Sequence, residues 1–318
     1  MVIGKRIMII GGTGALGRTL TKRYHNDNDI LVFSRDEHKH VRMKRDYPDV
    51  SYQIGDVKDK DSLLKALNEY KPHVVVNTAA LKHVPVCEHN PFESVKVNIL
   101  GHENLLECLQ VSNHQIETLM FVSTDKACKP INVYGMCKAI SERLYIDFAN
   151  KQKEIKVVLC RYGNVLESTG SVIPFFKSQL QDENITALPV TDPRMTRFLI
   201  SLDESVELID WALHHPDSHG AIVVPKLESL NIVDLAKTLS LAYLQKELPI
   251  DYVGIRPGEK IHEEMVSLEE SLRTKEFEKY FMITDEILND ETWSYSSLTH
   301  VMLPTEVNTF LREKGAIL

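Results

Sequence analysis

The stretch "STDKACKPINVYGMCK", residues 123–138, concentrates groups able to move protons. Tyr134 and Lys138 stand four apart, a common catalytic spacing, and on a helix they share one face. Asp125 and Lys126 sit side by side upstream, directly after Thr124. A lysine accepts a proton only when neutral, so its pKa must fall from ~10.4 toward neutrality for that work. A nearby cation such as Lys138 would lower it. One site with two lysines also needs a separate task for each.

A second group of residues suits binding. "GGTGALG" follows a short apolar run and opens a helical pattern. Gly12, Gly14 and Gly17 fit GxGxxG, and Gly11, Gly14 and Gly17 fit GxxGxxG, with Thr13, Ala15 and Leu16 between them. Glycines there permit a tight turn and close backbone approach to a pyrophosphate, and the helix start adds amide donors. The next apolar run ends in "FSRD". Ser34 and Arg35 come before Asp36, and Arg35 suits a ribose 2′-phosphate, which makes NADP the expected cofactor. Asp56 and Val57 in "GDV" suit the adenine loop. Ala79 and Ala80 in "TAA" are small where backbone must approach the cofactor. Lys82 and Asn98 complete the expected cofactor set.

These groups need a scaffold. The runs 6–10, 30–33, 51–54, 73–77, 118–122 and 156–160 are short, rich in Val, Ile and Leu, and lack polar alternation, as strands buried on both faces do. Helical patterns at 15–24, 62–70, 92–109 and 139–150 lie between them, with Asp61 a candidate cap for the second and Pro91 suited to the first turn of the third. Repeated strand–helix–strand order predicts an α/β fold with a Rossmann-type, doubly wound parallel sheet. After about residue 162 the rhythm breaks. "GSVIPFF", "LPVTDPRMTRF" and "IRPGEK" read as loops, a helix follows Asp203, 221–224 reads as a strand and another helix lies near 231–243. The expected organisation is a cofactor domain over 1–165 and a smaller, interleaved substrate domain over 166–318, with segments at about 200–225 returning to the first. The last thirty residues show no assignable pattern.

The chain has 318 residues, long enough for about two domains, with 43% hydrophobic and 26% charged residues, as in ordinary globular proteins. A net charge of −8 argues against nucleic acid or an anionic membrane as the main partner. No apolar run approaches the ~18 residues of a membrane span, and no signal-peptide cleavage site follows the apolar start. A cytoplasmic location is expected. Five cysteines with no CxxC pair predict reduced thiols, and no metal site is expected; His38, His40, His214 and His215 read as surface residues.

The Gly-rich turn, six strands, "STD" and the Tyr134–Lys138 pair together resemble the extended, nucleotide-sugar-modifying branch of the short-chain dehydrogenase/reductases. Adding "AALKHVPVCEHNP", "RYGNV", "GSVIPFF", "TDPRMTRF" and "IRPGEKIHE", the chain is similar from about residue 5 to 285 to the 5-inverting UDP-N-acetylglucosamine 4,6-dehydratases of pseudaminic acid and capsule-sugar synthesis. The resemblance implies tightly bound NADP, regenerated each cycle. It implies that Tyr134 assists oxidation at C4, supported by Thr124 and Lys138, with Lys138 lowering the Tyr pKa and binding the nicotinamide ribose. Lys126 would then take the C5 proton, and protonated Asp125 would expel the C6 hydroxyl. Hydride return to C6 and protonation of C5 from the opposite face would invert that centre. Some capsule-pathway relatives lack the tyrosine that this chain keeps. Related enzymes also release or consume a 5,6-unsaturated sugar nucleotide.

For the UDP-sugar, Arg194, Arg197 and Arg256 are the expected phosphate ligands, because guanidinium groups pair with phosphate in two-point fashion. Glu259 suits the uridine ribose, Asn164 a phosphate or the sugar, and Val172 and Pro174 the uracil pocket, while Lys82 and His83 face the sugar. The family implies dimers or larger rings, with helices at 92–109 and 138–150 as contact surfaces. Two other readings stay open. A UDP-sugar epimerase or reductase would need Tyr134 and Lys138 but not Asp125 or Lys126, and a catalytically silent NADP-binding regulator would need neither pair.

Overall fold

The computed structural model describes residues 2–166, 168 and 170–317. The six apolar runs form strands β1 (Arg6–Ile10), β2 (Asp29–Ser34), β3 (Ser51–Ile54), β4 (Val74–Asn77), β5 (Thr118–Val122) and β6 (Lys156–Cys160). They pair in parallel in the order 3-2-1-4-5-6. This doubly wound order leaves a crevice where β1 and β4 part company, the usual place for a ligand. Ile7, Met8, Ile9, Ile10, Val75 and Val76 are buried because helices cover both faces. Three later strands widen the sheet: β7 (Ile222–Pro225) beside β6, β9 (Tyr280–Ile283) antiparallel to β7, and β8 (Thr274–Glu276) at the rim.

Helix boundaries follow their caps. The first helix, Ala15–Tyr24, runs where its apolar face indicates. The helix expected from residue 62 starts at Lys60, because the carboxylate of Asp59, not Asp61, accepts from Ser62 N at 3.0 Å. A further helix, Glu37–Asp46, begins under the cap of Asp36. The continuous helix expected over 92–109 is divided. Pro91–Val95 leads into a π-turn at Lys96–Leu100 and then into Gly101–Val111. The catalytic helix, Val133–Lys151, starts earlier than its pattern suggested because Asn132 caps it, accepting from Gly135 N at 2.8 Å.

A second core gathers Leu166, Ile173, Phe176, Leu188, Val190, Leu199, Leu235, Leu239, Val307 and Leu311. Here the loop readings are corrected. Val172–Gln179 is a helix with Pro174 in its first turn, where a missing N–H leaves no bond unmade. Leu188–Val190 pairs with Ile250–Tyr252, and Thr196–Ile200 pairs with Asn164–Val165 and Ser229–Asn231. Strands this short lack the length to show a period. The unassigned C-terminal stretch supplies Tyr295–Ser296, paired with Glu264–Val266, and a helix, Pro304–Glu313.

Candidate active site

The Gly-rich turn is built for close approach. Gly11 has φ +75°, and a Cβ there would lie 2.8 Å from Ala79 N; a Cβ on Gly17 would lie 2.5 Å from the Gly12 Cα. Gly14 begins the first helix with no side-chain cap and no acid in the first turn, so its amide end is open to an anion. Thr13, Gly14, Ala15, Leu16 and Gly17 line a cavity of about 1300 Å³ that runs between the two cores, as do Arg35, Asp56, Val57, Ala79, Ala80 and Lys82. This turn fits a pyrophosphate. Beyond it, Arg35 and Lys39 flank Asp36, whose carboxylate is engaged as a helix cap by Lys39 N at 3.1 Å.

Two expectations at this end need correction. Ser34 lines the cavity, its hydroxyl held between Thr13 Oγ1 at 3.0 Å and His40 Nε2. His40 is accordingly buried rather than on the surface. Asn98 does not line the cavity. The π-turn carries it inward, where it accepts from Leu81 N at 2.9 Å and donates to Leu81 O at 2.8 Å, fixing the segment after β4.

At the reacting end, β5 delivers Ser123 and Thr124, and a single 3-10 turn, Asp125–Ala127, presents the next pair. Lys126 Nζ donates to Asp125 Oδ1 at 3.0 Å and to Asn164 Oδ1 at 3.3 Å, and stands 3.3 Å from Glu263 Oε1. Thr124 Oγ1 donates to Asp125 Oδ1 at 3.0 Å. Thr124, Lys126, Tyr134, Lys138, Asn164 and Glu263 line the cavity; Asp125 does not, being wholly buried behind Lys126. The amide of Asn132, besides capping the catalytic helix, donates to Gly258 O at 2.8 Å.

The electrostatics reverse one expectation. Burial opposes the Lys126 ammonium, but the carboxylates of Asp125 and Glu263 outweigh it and raise the Lys126 pKa above the ordinary lysine value. The lysine brought down toward neutrality is Lys138, to about 7, because burial outweighs the opposing charges of Glu142 and Cys137. Burial also raises the Asp125 pKa, against the pull of Lys126. Tyr134 is pushed up to about 12 by burial, and the groups that restrain it are Lys126 and a hydrogen bond from Thr124, not Lys138. The signal for Glu263 stood in "EKIHEE", an acid in a loop already suspected of meeting the substrate, but no spacing rule ties it to Lys126.

On the far side, Lys82, His83, Asn164, Val172, Pro174, Arg197, Arg256 and Glu259 line the same cavity. Arg197 is buried and braced on the carbonyls of Thr196, Lys260 and Ile261. Arg256 and Glu259 hold each other, Nη2 to Oε1 at 2.6 Å and Nε to Oε2 at 3.1 Å. Arg194 does not join them. It is exposed and forms a two-point pair with Asp192, whose carboxyl it holds down at about 2.

A doubly wound sheet with a glycine cradle, and Tyr134 and Lys138 on the helix after β5, define an extended short-chain dehydrogenase/reductase. The chain belongs to the Polysaccharide biosynthesis protein family, whose model matches residues 7–285. It is 41% identical over 292 residues to a UDP-N-acetylglucosamine 4,6-dehydratase (inverting) of Campylobacter jejuni, covering 89% of this chain and 84% of that protein. It is 38% identical over 293 residues to a protein of Rickettsia rickettsii named UDP-glucose 4-epimerase, at 89% and 84% coverage. The X-ray structure of Pen from Bacillus thuringiensis superposes with a TM-score of 0.91 at 28% identity, over 99% of both chains.

Proposed function

We propose that this protein is a UDP-N-acetylglucosamine 4,6-dehydratase that inverts C5, acting in the cytoplasm at the start of pseudaminic acid synthesis. The observation that carries this reading is the contact of Lys126 Nζ with Asp125 Oδ1 at 3.0 Å beside Tyr134. An epimerase has no use for such a pair, which favours the dehydratase reading.

Gly11, Gly14 and Gly17 would hold the pyrophosphate of NADP and Arg35 its 2′-phosphate, and the cofactor would supply transient oxidation at C4 and the hydride returned to C6. The protein moves the protons. Tyr134 takes the proton of the C4 hydroxyl, with Lys126 and Thr124 offsetting part of the burial that opposes its phenolate. Transfer of one proton from Lys126 Nζ to Asp125 Oδ1 converts their ion pair into a neutral amine and a neutral acid. Those are the two forms the elimination requires. The amine takes the C5 proton. The acid passes its proton through the Thr124 hydroxyl, which bonds Asp125 and reaches the cavity, to the departing C6 hydroxyl. This route reconciles the raised pKa of Lys126 with its work as a base, since the pair exchanges a proton internally rather than losing one to solvent.

Arg197 and Arg256 take the diphosphate, Glu259 the ribose, Val172 and Pro174 the uracil side, and His83, Lys82 and Asn164 the sugar. Residues 166–318 make up most of this substrate domain. The chain works as a homo-oligomer, paired through the helices that expose Phe92, Leu100, Met136 and Ile140. Proton NMR of UDP-N-acetylglucosamine in D₂O tests the reaction. A new C6 methyl signal with deuterium at C5 and L-arabino couplings is expected. D-xylo couplings would remove Lys126 from its role, and vinyl signals would assign the 5,6-ene instead.

A further inference from the structure

Glu263 is 2% exposed, yet its carboxylate faces three cations from three segments. Oε1 lies 3.3 Å from Lys126 Nζ and 3.9 Å from Arg197 Nε, and Oε2 lies 3.8 Å from Lys260 Nζ without a hydrogen bond. Its backbone is clamped. Glu263 N donates to Ser297 Oγ at 2.9 Å, Ser297 N donates to Glu263 O at 2.7 Å, and Ser297 Oγ meets Thr196 Oγ1 at 2.7 Å. A buried carboxylate this firmly held is aimed by its surroundings rather than by chance.

We propose that Glu263 is a positioning residue that shares one buried negative charge between the proton-transfer lysine, Lys126, and the cation of the phosphate end, Arg197, with Lys260 a third cation that does not line the cavity. The proposal rests on the reading above, on Arg197 as a diphosphate ligand for its binding part and on the assigned reaction for its kinetic part. Glu263 competes with a diphosphate for Arg197 and, at its other edge, holds the proton on Lys126. Affinity for the nucleotide is given up for a fixed ammonium. Lys126 is faced by Asp125, Glu263, Arg197 and the Tyr134 phenol; Glu263 is faced by Lys126, Arg197, Lys260 and, through charge, Asp125. Removing the Glu263 charge therefore leaves Lys126 with one anion in place of two and leaves Arg197 with only the more distant charge of Glu259.

The test is Glu263→Gln, which keeps shape and loses charge, measured in the full-length protein with UDP as the probe. Calorimetry is expected to show UDP bound about threefold tighter or more. Because Arg197 transmits this gain, Glu263→Gln should add nothing in an Arg197→Gln background. In turnover, the acid limb of kcat/KM, where Asp125 takes a second proton into the pair, should move down by about one pH unit or more because the Glu263 charge no longer favours that proton, with Glu263→Asp in between. Unchanged or weaker UDP binding by a folded Glu263→Gln protein overturns the proposal, as does a gain that survives in the Arg197→Gln background or an unmoved acid limb. If the glutamine variant does not fold, Glu263→Asp decides alone: its shorter carboxylate must tighten UDP, and unchanged affinity overturns the proposal. UDP calorimetry needs no turnover, so an error in the assigned reaction, revealed by full dehydration in Lys126→Ala, leaves this test intact.

Discussion

Lys138 Nζ donates to the main-chain oxygen of Val122 at 2.6 Å and lies 4.2 Å above the ring of Phe121. The amine is thus seated on the end of β5, with a carbonyl and a ring face but, among the described residues, no salt-bridge partner in contact.

Burying that amine costs stability while it is charged. Its folded pKa, about 7, lies below the ordinary lysine value of 10.5, so between those limits the unfolded chain binds more protons. Stability therefore rises with pH from about 7 to about 10.5, and the cost is complete below pH 7. Lys138→Met should stabilise the cofactor-free protein by about 3 kcal/mol at pH 7, with the gain shrinking toward zero near pH 10.5. Urea titrations across that range check this.

The two lysines separate by function. Lys126→Ala and Asp125→Asn should each lower kcat for water elimination by about 10³-fold, while leaving the affinity for NADP within about twofold, since neither residue lies by the glycine cradle. Rapid-mixing assays of product with parallel cofactor titrations distinguish this from general damage.

Arg161 lies at the centre of a buried charge cluster. It is 1% exposed and donates to Glu142 at 2.7 and 3.0 Å and to Glu270 at 2.8 and 2.9 Å; Ser123 donates to Glu142 at 2.6 Å. Burial opposes the Glu270 carboxylate, but Arg161 outweighs it and holds its pKa at about 2. Its contribution is complete above about pH 4.5 and is lost as pH falls toward 2. Glu270→Gln should cost about 3 kcal/mol at pH 7, because Arg161 loses two charge-assisted hydrogen bonds in a buried site and is left with Glu142 alone. The gap between variant and parent in denaturant midpoints should narrow below pH 4.5.

In the proposed reading Arg35, half exposed and 3.8 Å from Asp56, selects NADP over NAD. Arg35→Ala should weaken NADP binding by about tenfold and leave NAD unchanged. Equal loss for both would show that Arg35 holds the adenine loop instead.

Much of the first sheet was legible because burial on both faces leaves unbroken Val, Ile and Leu runs. The Gly-rich turn and the 123–138 segment were legible because their chemistry is local. Glu263 and Arg161 were not, since their partners lie 137 and 109 residues away, Lys126 and Glu270 respectively, and only packing brings them together. Asn98 misled because its side chain, polar and near the site, is spent on Leu81. Arg194 misled because Asp192, two residues earlier, satisfies it first. The short strands near 188–200 escaped because three to five residues cannot display a period, and Pro174 disguised a helix start as a loop.

The rim of the large sheet carries a consequence for how the protein is made. Strand β7 emerges from the ribosome with residues 222–225, but the strand that pairs its outer edge, β9, comes at 280–283. For the synthesis of more than fifty residues, an apolar strand waits with unpaired amides and carbonyls, the kind of edge that recruits other nascent chains. Fragments cut between these strands should aggregate where the full chain does not, and a ribosome pausing in that interval exposes the same edge.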